Sequence, residues 1–384
     1  MMNKALLIDT TLRDGAQAPD IALSQDQRVR IARLLVGLGI TEIEAGVAAM
    51  GKSEQAAIQA VIEAVGPACR VSVWCRALRA DLIEARACGG DTVHIAFPLS
   101  DAHLAAVGMN ERRLFESLEH LIEAGRADFS RVTVGCQDAS RAPIDRVISF
   151  VGMAMDAGAS RVRIADTVGI LTPLAVQELL TSIQRSIKNA ALDFHGHNDL
   201  GMATANAVTA LAIGSAVSVT LGGIGERAGN AALEEVVMGA SQGVSGLRLG
   251  VKQKLLVSAC KELSAMLHRR IPSQKPIIGA SIFTHESGIH CHGLRKNKSS
   301  FEPFAATKVG HEPTTFVGGT HSGSRGIQWV LQEQGIDISR ENASELCEHV
   351  RKVALQKKRS LFPNEIKRLY LIQSRAQSAS PVSF

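Results

Sequence analysis

Two histidines stand two residues apart in Asp193-Phe-His195-Gly-His197-Asn-Asp199. On an extended strand, residues i and i+2 share a face, so both imidazoles would point the same way. Such a pair with a carboxylate nearby is a donor set for a divalent cation. Alone, it leaves two readings open: a metal site, or a satisfied core histidine beside one that caps a turn. Asp14, in Asp9-Thr-Thr-Leu-Arg13-Asp14-Gly15, and Asn230, closing Gly222-Gly-Ile-Gly-Glu-Arg-Ala-Gly-Asn230, would add oxygen donors and favour the metal. Two nitrogen and two oxygen ligands leave positions open for substrate oxygens on Mg, Mn or Zn. Arg13 is the candidate anion partner, since a guanidinium beside a metal can grip a carboxylate or stabilise an enolate. Its structural alternative is an ion pair with Asp9 or Asp14. Further along, Thr284-His285-Glu-Ser-Gly-Ile-His290-Cys-His292-Gly293 packs three histidines into one segment, which suits a general base, a second metal site or a solvated loop.

Elements must bring these groups together. Strand patterns at 5–9, 42–46, 70–75, 92–97, 132–136, 161–165, 192–196 and 216–221 alternate with helical patterns at 25–38, 53–65, 112–124, 144–157, 173–187, 203–213 and 231–239. About eight βα units in this length predict an α/β fold, a (β/α)8 TIM barrel, with an open doubly wound sheet as the alternative. In either, a site forms at the carboxyl ends of the strands, and the polar motifs fall there: Asp9–Gly15, Asp166-Thr167, His195–Asp199 and Gly222–Asn230. The expected organisation is a catalytic barrel over 1–245 and a linker and lid segment over 246–325. Helices and a tail over 326–384 complete a smaller, mainly helical C-terminal region. Within these, 247–270, 325–334 and 340–358 read as helix, 271–320 lacks periodicity, and 373–384 reads as a loose tail.

The chain has 384 residues, with Lys+Arg 42 against Asp+Glu 37 and a formal charge of +5. That balance is too weak to argue for nucleic acid. At 46% hydrophobic and 21% charged the chain is an ordinary globular protein rather than a disordered one. Seven scattered cysteines without a CxxC pair point to a reduced, cytoplasmic setting, and Met1–Asp9 meets an acidic residue too early for a secretory signal. The uncharged run Leu200–Gly225 is long enough to span a bilayer. Its polar residues and glycines favour a buried helix and strand instead, so no membrane partner is expected.

Gly46-Val-Ala-Ala-Met-Gly51-Lys52-Ser53 fits the nucleotide-binding pattern GxxxxGK[ST] between a strand and a helix. Its few glycines, and the lack of other switch elements, favour a chance match in a βα turn.

Together, Asp9–Gly15 with Gln17, His195-x-His197, Gly223–Asn230 and Thr284–His290 resemble the 2-isopropylmalate synthase/homocitrate synthase family of metal-dependent TIM barrels, over about residues 5 to 325. Glu44–Gly51, Asp138-Ala-Ser-Arg141 and the compact length are most similar to its nitrogenase-associated homocitrate synthases. The resemblance implies that Asp14, His195 and His197 ligate the metal, with Asn230 completing or supporting the site. Arg13 would hold the 2-oxo acid and the developing enolate, with Gln17 and Thr167 at the substrate carboxylate. His290 would deprotonate acetyl-CoA, the co-substrate. A homodimer with the lid exchanged between subunits is also implied, and the activity is condensation of acetyl-CoA with 2-oxoglutarate to homocitrate.

Three positions depart from the family pattern: Gln137 for a common Glu, Ala16 for a frequent Glu, and Thr320 for a frequent Lys. Competing readings are citramalate or 2-isopropylmalate synthesis and a hydroxymethylglutaryl-CoA lyase-like activity. The long 2-isopropylmalate synthases carry a further regulatory domain for which too little chain follows the lid. The lyases carry a cysteine after strand eight, and Gly222–Asn230 has none.

Overall fold

The computed structural model describes residues 6–378, so Met1–Ala5 and the end of the expected tail, 379–384, lie outside the described residues. These residues divide into two compact units, at Arg270 and Ile271.

The first unit is a closed barrel of eight parallel strands: β1 (Leu7–Asp9), β2 (Glu42–Gly46), β3 (Arg70–Arg76), β4 (Thr92–Pro98), β5 (Arg131–Gln137), β6 (Val162–Asp166), β7 (Leu192–Gly196) and β8 (Ala216–Val219). Leu7 of β1 pairs with Val217 of β8, which closes the ring and removes the open-sheet alternative. The outward residues Ile43, Val73, Val93, Ile95, Val134, Val162, Ile164, Phe194 and Val217 are fully buried under the helical layer. The β-branched side chains favour the pleated strand and fill this interlayer core.

The inward face is unusually polar for a barrel. Glu42 and Glu44 on β2, Arg161 before β6, Arg163 on it and Asp193 on β7 are all buried. They survive because they pair: Arg163 reaches Glu44 at 2.9 Å and Asp193 at 2.7 Å, and Arg161 binds Glu42. Such paired charges take the place of the apolar layers that fill most barrels.

The helix Gln25–Leu38 opens on a capping box between Ser24 and Gln27 and ends at Gly39, whose φ of 100° is the left-handed stop that glycine favours. Leu200–Gly225 forms the helix Ala203–Ala212 and then β8, as its breakers predict. No described helix is long and apolar enough to cross a membrane. The helices Arg79–Arg86 and Asp101–Ala106 carry no helical prediction. Each is short, and the first begins at Leu78 without a side-chain cap, so neither gives a strong periodic signal. The helix Leu256–Met266 lies in the first unit, within the stretch expected to be linker.

The second unit is mainly helical and has its own core, centred on Leu294, Phe316, Ile327, Leu331, Leu346, Val350, Leu361 and Ile366. Helix Gly288–Lys296 falls in the segment without predicted periodicity, and Pro363–Ser378 runs well into the expected loose tail. Residues 373–378 are therefore helical. Leu361 and Ile366 are fully buried, so the start of this last segment is anchored by packing.

Candidate metal centre

At the carboxyl ends of the strands, the loop after β1, the end of β7 and the loop after it bring Asp14, His195 and His197 together, with one potential ligand atom of each within 4.8 Å of the others. His195 Nε2 lies 3.3 Å and His197 Nε2 3.9 Å from Asp14 Oδ2. The imidazole rings stand edge to face, 5.1 Å between centroids. Asn230 reaches the same carboxylate, donating from Nδ2 to Asp14 Oδ1 over 2.9 Å. The backbones of His197 and Asn230 form an antiparallel bridge, which fixes the loops after β7 and β8 against each other. Gly225 is required at this joint, since a Cβ there would collide with Asn230 Nδ2.

Protonation states suit a cation. Burial alone would raise the Asp14 carboxyl, but Arg13 and then His195 and His197 outweigh it and hold it well below the usual carboxylate range. Burial, reinforced by His195, pushes His197 down to about 4, so its imidazole is neutral near pH 7 and free to ligate. The Nδ1 atoms of both histidines and the Oδ1 of Asn230 are buried without a hydrogen-bond partner. Two imidazoles, an ionised carboxylate and an amide oxygen form a nitrogen–oxygen donor set suited to a divalent ion.

Arg13 lies beside this cluster. It donates from Nη1 to Asp14 Oδ2 at 2.7 Å and from Nε to Glu44 Oε1 at 2.6 Å, and it lies over the Trp74 ring at 5.6 Å. The ion pair with Asp14 is thus real, and Asp9 takes no part in it. Held on three sides, the guanidinium keeps further N–H donors for a substrate oxygen.

A cavity of about 200 Å³ opens over these groups, lined also by Gln17, Thr167, His94, Gln137, Arg163 and Arg227. Thr167 Oγ1 accepts the Asp138 N–H at 2.8 Å, which leaves its hydroxyl proton to donate. Asp138 itself sits at a φ of 58°, its carboxylate gripped by Arg141 and Ser100. Gln137 faces the cavity from the end of β5, and Gln17 from a short 3₁₀ turn, Gly15–Gln17.

Trp74, His94, Arg163 and Arg227 carry no predicted role. Strands β3, β4 and β6 point Trp74, His94 and Arg163 inward, at even spacing from residues that line the same wall. That parity was the available signal. Burial and then Arg163 keep His94 neutral. Arg227 clamps Asp199 at 2.8 Å and the Thr167 carbonyl at 2.7 Å, tying the loops after β6, β7 and β8.

His290 belongs to the second unit. It is exposed on the helix Gly288–Lys296 and stacks on Phe301 with 4.2 Å between centroids. His285 lies 3.9 Å from Glu302, and His292 stacks on Trp329. The histidine-rich segment is therefore an ordered element, and its three rings do not converge as a metal cluster among the described residues.

The nucleotide-loop lookalike is occupied by the protein itself. Glu54 Oε1 accepts the Val47 N–H at 3.3 Å, and Lys52 turns to Gln55 at 3.0 Å. A carboxylate inside the turn repels phosphate, and the lysine is committed elsewhere.

Residues 4–266 match the HMGL-like family, and residues 277–358 match the homocitrate synthase post-HMGL domain-like family. The chain is 38% identical over 380 residues to homocitrate synthase 1 of Nostoc sp., covering 98% of this chain and 100% of that one. It is 37% identical over 366 residues to 2-isopropylmalate synthase 2 of Caldanaerobacter subterraneus, covering 95% and 94% respectively. The fold is similar to that of the HMG-CoA lyase of Bacillus subtilis, with a TM-score of 0.62 at 20% identity over 71% of this chain and 96% of that one.

Proposed function

The chain belongs to the 2-isopropylmalate synthase/homocitrate synthase family, and on that premise we propose that it condenses acetyl-CoA with 2-oxoglutarate and hydrolyses the thioester to homocitrate. The observation that carries a synthase reading is the convergence of Asp14, His195, His197 and Arg13 in one mouth of the barrel. The choice of 2-oxoglutarate rests on the likeness to the Nostoc homocitrate synthase over its full length and on the resemblance of Glu44–Gly51 and Asp138–Arg141 to homocitrate synthases.

Asp14, His195 and His197 would hold a divalent ion, with Asn230 fixing Asp14 and offering its own oxygen. When bound, that ion supplies Lewis acidity toward the ketone of the 2-oxo acid. The chain's own residues do the rest. Arg13, locked by Glu44 and Asp14, holds the oxo-acid oxygens and balances negative charge as the ketone oxygen becomes an alkoxide. Thr167 donates a hydrogen bond from its hydroxyl, and Gln17 one from its carboxamide, to the substrate carboxylate. His290 takes a proton from the acetyl methyl group, whose carbon then bonds to the ketone carbon. The alkoxide takes up a proton, and water attacks the thioester to release carboxylate and CoA thiol. In this reading His290 reaches a neighbouring subunit's barrel, which makes the homodimer the working unit.

The test measures thiol release from acetyl-CoA with 2-oxoglutarate, pyruvate and 2-oxoisovalerate in the presence of Mg, Mn or Zn. A kcat/KM for 2-oxoglutarate above both others is expected. Equal or better turnover of pyruvate or 2-oxoisovalerate would reassign the chain to citramalate or 2-isopropylmalate synthesis.

A further inference from the structure

The amino ends of the barrel strands hold a second concentration of charge that the reaction does not use. Glu42 precedes Glu44 by two residues, and Arg161 precedes Arg163 by two, so each pair shares an inward face. The upper rung, Glu44 with Arg163, borders the metal centre. The lower rung, Glu42 with Arg161, lies toward the opposite mouth and is as deeply buried, at 0% and 4% exposure.

The lower rung is out of balance. Arg70 Nη1 also approaches Glu42, at 3.5 Å, and Arg131 stands beside it at the start of β5. Three guanidiniums therefore surround the buried Glu42 carboxylate, and Asp91 is a second acidic group acting on Arg131. Arg131 Nε is buried without a hydrogen-bond partner. Burial and then the charges of Arg161 and Arg70, offset in part by Glu42 and Asp91, make the charged form of Arg131 harder to hold.

Against this rung opens a cavity of about 480 Å³, lined by Arg131, Arg161, Ser160 and Ser215. Ser160 Oγ already donates to the Val132 carbonyl. Ser215 is 3% exposed, and its Oγ has no partner. The wall of one cavity thus holds two guanidiniums, with an unpaired N–H of Arg131 and the unpaired Ser215 hydroxyl buried within it. Unmatched donors and charge in a low-dielectric site are costly, and an oxyanion relieves both at once.

We propose that the amino-terminal mouth of the barrel is a binding site for a small dianionic oxyanion, phosphate-like or dicarboxylate, held by Arg131, Arg161 and Ser215. This site is separate from the metal centre and does not depend on which 2-oxo acid the enzyme uses.

The experiment is calorimetric titration of the full-length protein with inorganic phosphate and, in a second arm, with succinate. The variants are Arg131→Gln, Ser215→Ala and, as a control for the other mouth, Arg13→Gln. Saturable binding is expected in the unsubstituted protein and in Arg13→Gln alike. Arg131→Gln should weaken it roughly tenfold or more, as loss of a charge-assisted bond does. Ser215→Ala should weaken it by roughly threefold, the worth of one neutral hydrogen bond. Ser215→Ala removes a single hydroxyl, so it decides the matter even if Arg131→Gln does not fold. Binding in the phosphate arm alone assigns a phosphate ligand, and binding in the succinate arm alone a dicarboxylate. Binding that neither Arg131→Gln nor Ser215→Ala weakens, or that is lost in Arg13→Gln, overturns the proposal, as does no saturation by either anion at millimolar concentration.

Discussion

Asn230 donates from Nδ2 to Oδ1 of Asp14 across 2.9 Å, a bond that joins positions 216 residues apart and locks the last barrel loop to the first. Asp14 has two oxygens, and this bond occupies one while Arg13 holds the other. Replacing Asn230 by Ala frees the carboxylate to rotate. Outer partners of this kind are worth roughly 10- to 100-fold in metal affinity. Metal retention in Asn230→Ala, measured by equilibrium dialysis with Mn, is expected to fall within that range while the circular dichroism spectrum is kept. Unchanged affinity would mean that the bond is incidental.

Loss of a ligand should be more severe than loss of its support. His197→Ala is expected to abolish both metal retention and thiol release, since the neutral imidazole has no substitute nearby. Metal content by atomic emission, compared with turnover of the same preparation, checks it. Full activity with retained metal in that variant would remove His197 from the site.

Much of this site was legible before any fold was known. A His-x-His pair needs only strand periodicity to be read as one face, and the arginine–aspartate turn after β1 announces itself by composition. Harder to read were Trp74, His94 and Arg163. Each lies inside a strand whose neighbours are ordinary apolar residues, and only closure of the barrel turns that parity into a wall of the cavity. The pairing of Glu44 with Arg163, 119 residues apart, was likewise out of reach, because sequence separation says nothing of who faces whom across a barrel. Short helices such as Arg79–Arg86 went unread because their stability comes from tertiary packing rather than from caps or length.

Thr167 makes one structural bond and, in the proposed reaction, would make one to the substrate carboxylate. Its Oγ1 accepts from the Asp138 N–H, and its proton is left for substrate. Thr167→Val removes both, which should cost about 1–2 kcal/mol of stability for the orphaned N–H. KM for the 2-oxo acid should rise roughly tenfold, with kcat changed less. Thr167→Ser keeps the hydroxyl and should restore KM. A Val variant that lowers kcat and leaves KM untouched would show that the hydroxyl acts elsewhere than on the bound substrate.

Lys52 tests the nucleotide-loop lookalike. With the Glu54 carboxylate taking the Val47 N–H inside the turn and the ammonium bonded to Gln55, the turn presents a negative charge and no free lysine to a phosphate chain. Calorimetric titration with ATP and Mg should give no saturable heat in the unsubstituted protein, and Lys52→Ala should leave kcat/KM for thiol release unchanged. Binding of ATP that Lys52→Ala abolishes would reverse this reading.

Asp9 offers a stability prediction whose sign can be worked out. It is wholly buried at the end of β1, and its Oδ1 accepts the Thr11 N–H at 2.8 Å while Oδ2 has no partner. Burial is the main cause that raises its pKa from 3.8 to about 7; the Thr11 bonds oppose this, and the charge of Glu234 adds to it. Between those two values the folded protein holds a proton that the unfolded chain has released. Stability therefore falls as pH rises through that window, and the full penalty applies above about 7. The cost is on the order of a few kcal/mol. Asp9→Asn imitates the protonated acid: its carbonyl still accepts from Thr11, and its amide carries no charge to bury. Thermal unfolding of Asp9→Asn should be flatter than that of the unsubstituted protein between pH 4 and 7. Its midpoint should also be the higher of the two at pH values above that window. Parallel pH profiles for the two proteins would mean that Asp9 is ionised in the fold, with its charge met by a partner other than Thr11.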